Sequence, residues 1–261
     1  MVSENSTIAS NFRLCESGSE CIIEMNSGVH TFASTLEVTA GMVVTLRPMN
    51  NVSMQPSEII ILQGINGGEF PLFTVRAGGT LKVTSDNPTL SLDDPVQITK
   101  FGRSSIFAEG ASSVVLERVA LVRNDAGSSA QRRRTLSSTA ALEHPGCGGG
   151  LRLVSGAMAK LSKCILSNNT AEHGGAICAR GSSIIVLSSS TELKNNLASI
   201  NGGGLSASSA AIVRIEGGVS SSVLFELNQA QQHGGGIALA TDAKLLSSGR
   251  SCTNASLSHC D

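Results

Sequence analysis

The sequence contains no Trp and no Tyr, and aromatic residues make up only 3% of its 261 positions. Enzymes that cleave carbohydrates commonly stack sugar rings on aromatic faces. Only seven Phe are available for that role, and most of them fall in apolar strand patterns. The composition therefore weighs against a carbohydrate-cleaving enzyme, while it leaves polar carbohydrate binding open.

The chain also lacks an excess of charge, because 19 Lys and Arg against 20 Asp and Glu give a net charge of −1. Without a global positive field, a nucleic acid is not expected as a partner. No apolar run reaches the roughly 18–20 residues of a membrane span, so no span is expected. The opening residues MVSENSTIASNF have neither the basic nor the apolar region of a signal peptide. We expect either an internal piece of a longer polypeptide or a misassigned start.

The seven cysteines form no CxxC motif, and no His lies at zinc-finger spacing, so no structural metal site and no cofactor are expected. Two close pairs near the ends, Cys15 with Cys21 and Cys252 with Cys260, predict local disulfides in an oxidising compartment. Reduced thiols are the alternative. The odd count leaves at least one thiol free or paired outside the chain.

Glycine is plentiful, with 28 residues, and it recurs in blocks. Each block is followed directly by an apolar residue, which is Leu151, Ile177, Leu205 or Ile237. The spacing between successive members of this series is 26, 28 and 32 residues, which gives the length of each repeat. A second motif has an apolar residue, then Asn three positions later and Ala two positions after that. Its copies are Leu121/Asn124/Ala126, Leu166/Asn169/Ala171, Leu193/Asn196/Ala198 and Phe225/Asn228/Ala230.

Apolar residues alternate with polar ones between the motifs, which is the period of a strand. In the first half, pairs such as Leu36 and Val38 are followed eight residues later by pairs such as Val44 and Leu46. Three short strands in a repeat of this length predict one coil of a parallel β-solenoid. We therefore predict an all-β solenoid over residues 22–246, with an inserted loop at about 127–146. Residues 1–21 and 247–261 are expected to be end caps or irregular tails.

The recurring glycines and asparagines have a structural explanation in such a solenoid. Glycine permits sharp turns and close approach of neighbouring coils, and the asparagines can stack into a hydrogen-bonded ladder along the axis. The predicted turn and ladder residues are Asn124, Asn169, Asn196, Asn228, Gly149, Gly150, Gly174, Gly175, Gly202, Gly203, Gly234 and Gly235.

The GGAI block at 174–177 together with FELN at 225–228 resembles the repeats of chlamydial polymorphic membrane proteins, and similar motifs cover residues 121–237. The resemblance implies a right-handed parallel β-helix of the pectin-lyase-like class. It also implies an extracellular or cell-surface passenger with roles in adhesion and antigenic display.

Catalytic residues are not evident. Asp93 and Asp94 are the only adjacent carboxylates, and a turn before Pro95 explains them. Together with Arg132, Arg133 and Arg134, they are weak candidates for the alternative function, a polysaccharide lyase or glycoside hydrolase. His173 and His233 each precede a glycine block, where they would act either as turn formers or as a stacked ligand site.

The inserted loop carries Arg132, Arg133 and Arg134, which are candidate contacts for an acidic glycan, a sulfated surface or a protein. A solvated loop with no ligand is the alternative. We predict a non-enzymatic β-helix for adhesion, recognition or surface display, with a structural spacer of a larger surface protein as a further alternative.

Overall fold

The computed structural model describes residues 5–49, 59–65, 69–85, 96–127, 146–217 and 222–248. Strands dominate these residues, and every ladder between them is parallel. The strands stack into long sheets whose members come from successive passes of the chain. The fold is therefore the predicted parallel β-helix.

The first sheet contains eight strands, which are β1 (Glu20–Met25), β4 (Val43–Pro48), β7 (Thr80–Thr84), β10 (Ser113–Glu117), β13 (Met158–Ser162), β17 (Ile184–Ser188), β21 (Ile212–Glu216) and β25 (Lys244–Ser248). The second contains β2 (Gly28–Phe32), β5 (Ile60–Gly64), β8 (Val96–Thr99), β11 (Val119–Val122), β14 (Ile165–Ser167), β18 (Glu192–Lys194) and β22 (Leu224–Glu226). The third contains β3 (Leu36–Val38), β6 (Phe73–Val75), β9 (Ile106–Glu109), β12 (Leu151–Val154), β16 (Ile177–Arg180), β20 (Leu205–Ser208) and β24 (Ile237–Leu239).

A short fourth sheet lies between the second and third sheets in the C-terminal coils. It consists of β15 (Thr170–His173), β19 (Leu197–Asn201) and β23 (Gln229–Ala230). Each coil thus runs from the first sheet to the second and then to the third. The order of strands shows seven such coils among the described residues, with β25 beginning an eighth.

The interior consists of columns of apolar side chains that run along the helix axis. In the first sheet, Val114, Ala159, Ile185 and Val213 are paired in register and fully buried. Two positions later, Leu116, Leu161 and Leu187 are also buried and in register, and Ile215 continues that column partly buried. Leu151, Ile177 and Leu205 form a buried column in the third sheet. These are the positions that the alternating pattern predicted to point inward.

A helix, α1 (Asn5–Arg13), packs against β1 and β2 at the N-terminal end. Ile8 and Phe12 lie one helical turn apart and are both buried, and the Phe12 ring centroid is 6.3 Å from that of Phe73. Cys15 and Cys21 form a disulfide that joins the segment after α1 to β1. This end of the apolar core is therefore covered by the chain itself.

The described part of the chain has no helix that is both long enough and apolar enough to span a membrane.

The interior columns predict a position-dependent stability. Leu161→Ala on β13 should lower the free energy of unfolding by about 2–5 kcal/mol, because it leaves a cavity in a fully buried column. Met158→Ala on the same strand removes an outward side chain that is 45% exposed, so its effect should stay within about 0.5 kcal/mol. Chemical denaturation of both variants measures the difference. Equal losses would contradict the inward assignment.

Candidate functional site

The four repeated asparagines stand above one another at the corner after the second sheet. The side-chain Nδ2 of Asn124 donates to Oδ1 of Asn169 at 3.1 Å, and Asn169 repeats this toward Asn196 at 3.1 Å. Asn196 Nδ2 then donates to Asn228 Oδ1 at 2.9 Å. The structure therefore brings all four residues into one ladder.

Backbone groups complete the ladder. The same Oδ1 atoms accept from the backbone N–H of the asparagine on the preceding coil, at 3.0 Å for both Asn169 and Asn196. Each Nδ2 also donates back to a carbonyl of the preceding coil, as Asn169 does to Leu121 at 2.8 Å. Asn124, Asn169 and Asn196 are at most 1% exposed. Their amides are thus fully used away from water, which is the condition for burying them.

The ladder starts where the sequence motif starts. One coil earlier, Phe101 occupies the level of Asn124, and its backbone N–H donates to Asn124 Oδ1 at 3.2 Å. Phe101 is itself buried. In that coil a buried apolar side chain therefore stands where the later coils have an amide.

The glycine blocks form the corner before the third sheet. Gly148, Gly174, Gly202 and Gly234 have positive φ angles of 68, 61, 66 and 61°. The next residue in the first three blocks faces the following coil closely, and a Cβ added at Gly149 would lie 2.6 Å from the carbonyl oxygen of Gly175. Gly203 and Gly235 lie on the same level in the next coils, and Gly150 is level with Ala176.

His173, Asn201 and His233 lie level on adjacent coils, directly before these glycines. Their backbone carbonyls accept hydrogen bonds from the first glycine of the preceding block, with Gly174 N donating to Asn201 O at 2.9 Å and Gly202 N to His233 O at 2.9 Å. Turn formation is thus part of their role. Among the described residues, no group of three or more His, Cys, Asp or Glu is placed to hold a metal ion.

A second disulfide was missed by the sequence analysis. Cys147 and Cys178 are bonded, with their Cα atoms 5.5 Å apart. Cys178 lies on β16 and points outward, because its neighbours Ile177 and Ala179 belong to the interior columns. The bridge ties the residue directly before the Gly148–Gly150 block to the next coil. Cys252 and Cys260 lie outside the described residues.

Cys164 is the free thiol of the described cysteines, and it is fully buried. Burial raises the pKa of the Cys164 thiol to about 12. Its Sγ lies 3.3 Å from the carbonyl oxygens of Leu116 and Ser162. This thiol is a packed core group at neutral pH, since only a thiolate is strongly nucleophilic.

Two corners of the helix hold positively charged residues in an unfavourable backbone conformation. Lys100 and Arg123 precede the ladder level on adjacent coils, with φ of 61 and 55°. Arg118 and Lys163 occupy the corner between the first and second sheets, each with φ of 53°. A left-handed conformation costs an ordinary residue about 1 kcal/mol. Other coils place Asn168, Asn195 or Ser189 at these levels.

Of these four cations, Lys100 has a neutral partner, because its Nζ donates a hydrogen bond to Oε1 of Gln63 at 3.3 Å. Arg47 pairs with Glu24 at 2.9 Å, and Arg76 bridges Glu37 and Glu109, whose hydrogen bond raises the pKa of Arg76. In the portion of the chain that the structure covers, none of the four corner cations takes part in an ion pair. Sequence reasoning did not single them out, because their proximity follows only from the folded register.

Several predicted residues lie outside the part that the structure describes. They are Arg132, Arg133 and Arg134 of the insertion, and Asp93 and Asp94 of the turn before β8.

Comparison with known proteins places the repeat in context. Residues 163–180 match the Chlamydia polymorphic membrane protein repeat. The matched stretch contains Asn169 of the ladder and the glycine block at 174–175. No curated protein and no solved structure matches the chain.

The ladder geometry predicts that an asparagine in its middle contributes more to the free energy of unfolding than the asparagine at its end. Asn169→Ala removes bonds on both sides and leaves buried donors on Asn124, so the free energy of unfolding should fall by about 3 kcal/mol. Asn228→Ala affects one described neighbour and a half-buried site, so the loss should be about 1 kcal/mol. Denaturant titration of both variants tests this order. A larger loss for Asn228→Ala would be inconsistent with the ladder.

The burial of Cys164 predicts that its thiol is protected from alkylation in the folded protein. Cys164 should resist alkylation by iodoacetamide at pH 8 in folded protein and react after unfolding, with mass spectrometry as the readout. Because the folded pKa is raised from 9.0 to about 12, the unfolded state releases this proton first. Stability relative to Cys164→Ala should therefore be constant below pH 9 and fall as pH rises above it. Rapid labelling of native protein would refute the buried assignment.

Proposed function

We propose that this chain is a non-enzymatic recognition scaffold exposed at a cell surface, where it serves adhesion or display. The observation that carries the proposal is the match of residues 163–180 to the Chlamydia polymorphic membrane protein repeat. The matched coil is continuous in register with the coils on both sides, so the same structural repeat extends well beyond the matched residues.

The disulfides support an extracellular location. Cys15–Cys21 and Cys147–Cys178 both close within the chain, and structural disulfides persist in oxidising compartments. A cell surface or extracellular space is such a compartment.

The architecture suits the presentation of a binding segment. A coil held by interior columns and a buried amide ladder gives a rigid base, and rigid bases commonly carry functional loops. Cys147, which directly follows the predicted insertion at about 127–146, is bonded to Cys178 of β16. In this proposal Arg132, Arg133 and Arg134 offer charged contacts to a glycan or protein ligand.

Antibodies test location and adhesion together. Antibodies against residues 128–145 should label intact, unpermeabilised cells of the source organism, and their Fab fragments should reduce attachment of those cells to their natural surface. Fab fragments of unrelated specificity provide the control.

Labelling only after permeabilisation would overturn the surface location. Surface labelling without an effect on attachment, from a Fab shown to bind the protein, would favour the structural spacer. Calcium-dependent unsaturated product from polyuronate, lost in Asp93→Ala/Asp94→Ala, would instead make the protein a lyase.

A further inference from the structure

The outer face of the second sheet, between its two corners, has a distinctive charge arrangement in the middle coils. Lys100 and Arg123 stand at one corner, and Arg118 and Lys163 stand at the other. The strand β11 joins the two rows, since it runs between Arg118 and Arg123. Five residues of extended chain place the rows about 16 Å apart, with about 4.8 Å between coils within each row. We call this surface the framed face.

The centre of the framed face consists of β8, β11 and β14, and these strands contain no charged residue. The outward positions there are small or medium-sized, and three of them carry polar groups. They are Gln97, Thr99, Ala120, Val122, Ile165 and Ser167. Thr99, Ala120 and Ser167 are at most 8% exposed, whereas Gln97 is partly exposed and is the polar side chain of this centre that a ligand can reach.

Two carboxylates lie near the frame without forming an ion pair to it in the described part of the chain. Asp125 Oδ1 accepts a hydrogen bond from the backbone N–H of Gly127 at 2.8 Å. Glu117 precedes Arg118 but belongs to the outer face of the first sheet, and no ion pair joins the two side chains in the described region.

The frame lies in a basic section of the chain. Residues 96–215 contain 13 Lys and Arg against six Asp and Glu, whereas residues 1–95 contain four against ten. The net charge of −1 for the whole chain conceals this separation. A local field of one sign attracts counter-charged ligands even when the total is near zero.

Lys100, Arg118, Arg123 and Lys163 form no ion pair among the described residues, and they stand at left-handed positions on adjacent coils. This placement opposes folding through both backbone strain and like-charge repulsion. Strain that the fold retains against its own stability points to a function. We propose that the framed face binds a sulfated glycan, with sulfate groups paired to the two cationic rows and the partly exposed Gln97 side chain hydrogen-bonded to a sugar hydroxyl.

The chemistry favours a sulfated glycan over other polyanions. Each row contains one Arg, whose planar fork matches oxyanions with two hydrogen bonds, and one Lys. The centre has no aromatic side chain on which a nucleic-acid base would stack. The proposal rests on the recognition function above, because a cell-surface protein meets such glycans outside the cell.

Heparin serves as the probe, with desulfated, N-acetylated heparin as the matched control ligand, and binding is measured by titration at 150 mM salt. Arg118→Ser/Lys163→Ser and Lys100→Asn/Arg123→Asn each remove one row and install residue types already used at those levels. Each double variant should bind heparin about fivefold more weakly, as expected for loss of two exposed ion pairs. Both should retain the thermal midpoint of the parent or exceed it.

Arg214→Ser/Lys244→Ser is the control variant, because it removes the same charge from exposed residues of the first sheet. Its affinity should stay within about twofold, since charges beyond about 8 Å are screened at this salt. Desulfated heparin should bind none of the proteins tightly.

Four results would overturn the glycan site. The first is an equal loss in the control variant, and the second is equal affinity for desulfated heparin, double-stranded DNA or phosphatidylserine vesicles. The third is a loss confined to Arg132→Ser/Arg133→Ser/Arg134→Ser, which would move the glycan site to the insertion and leave the recognition function intact. The fourth is the absence of heparin binding in folded protein, while the Fab result on attachment would still decide the recognition function separately.

Discussion

The structure depends on coils that stack in register, and the asparagine ladder enforces that register at one corner. Apolar columns alone favour stacking but tolerate slippage, since neighbouring Leu, Ile and Val are nearly interchangeable. A buried amide is less forgiving, because a displaced Asn169 would leave its own groups and those of Asn124 unpaired. Hydrophobic burial therefore drives the coils to stack, and the hydrogen-bonding requirement of the buried amides fixes their register.

The left-handed corner positions of the coils are occupied by different residue types, which we relate either to structure or to ligand recognition. Where Asn168 and Asn195 take the left-handed positions, the chain uses a residue type that tolerates them. Where Arg123 and Lys100 take them, the chain accepts strain and repulsion on a surface that is otherwise regular. The interior of a β-helix is thus uniform from coil to coil, while its corners vary and can carry a ligand site.

The sequence pattern predicted the interior and the ladder because both follow fixed offsets, as from Leu166 to Asn169. Features that depend on contacts between coils were not predictable. Cys147 and Cys178 are 31 residues apart and meet only through the folded register. His30 fills a buried position that Leu62 and Ile98 occupy in the following coils, and no periodic rule selects it. The framed face was hidden for the same reason, because its two rows come from three coils.

The most direct measurement is hydrogen exchange by NMR at the side-chain amides of the asparagines. The Nδ2 protons of Asn169 and Asn196 should exchange only through global unfolding, because both amides are buried and bonded on two sides. Asn195, exposed and adjacent in the chain, should exchange at the rate of a free amide. Equal, fast exchange at all three residues would contradict the ladder and the register that depends on it.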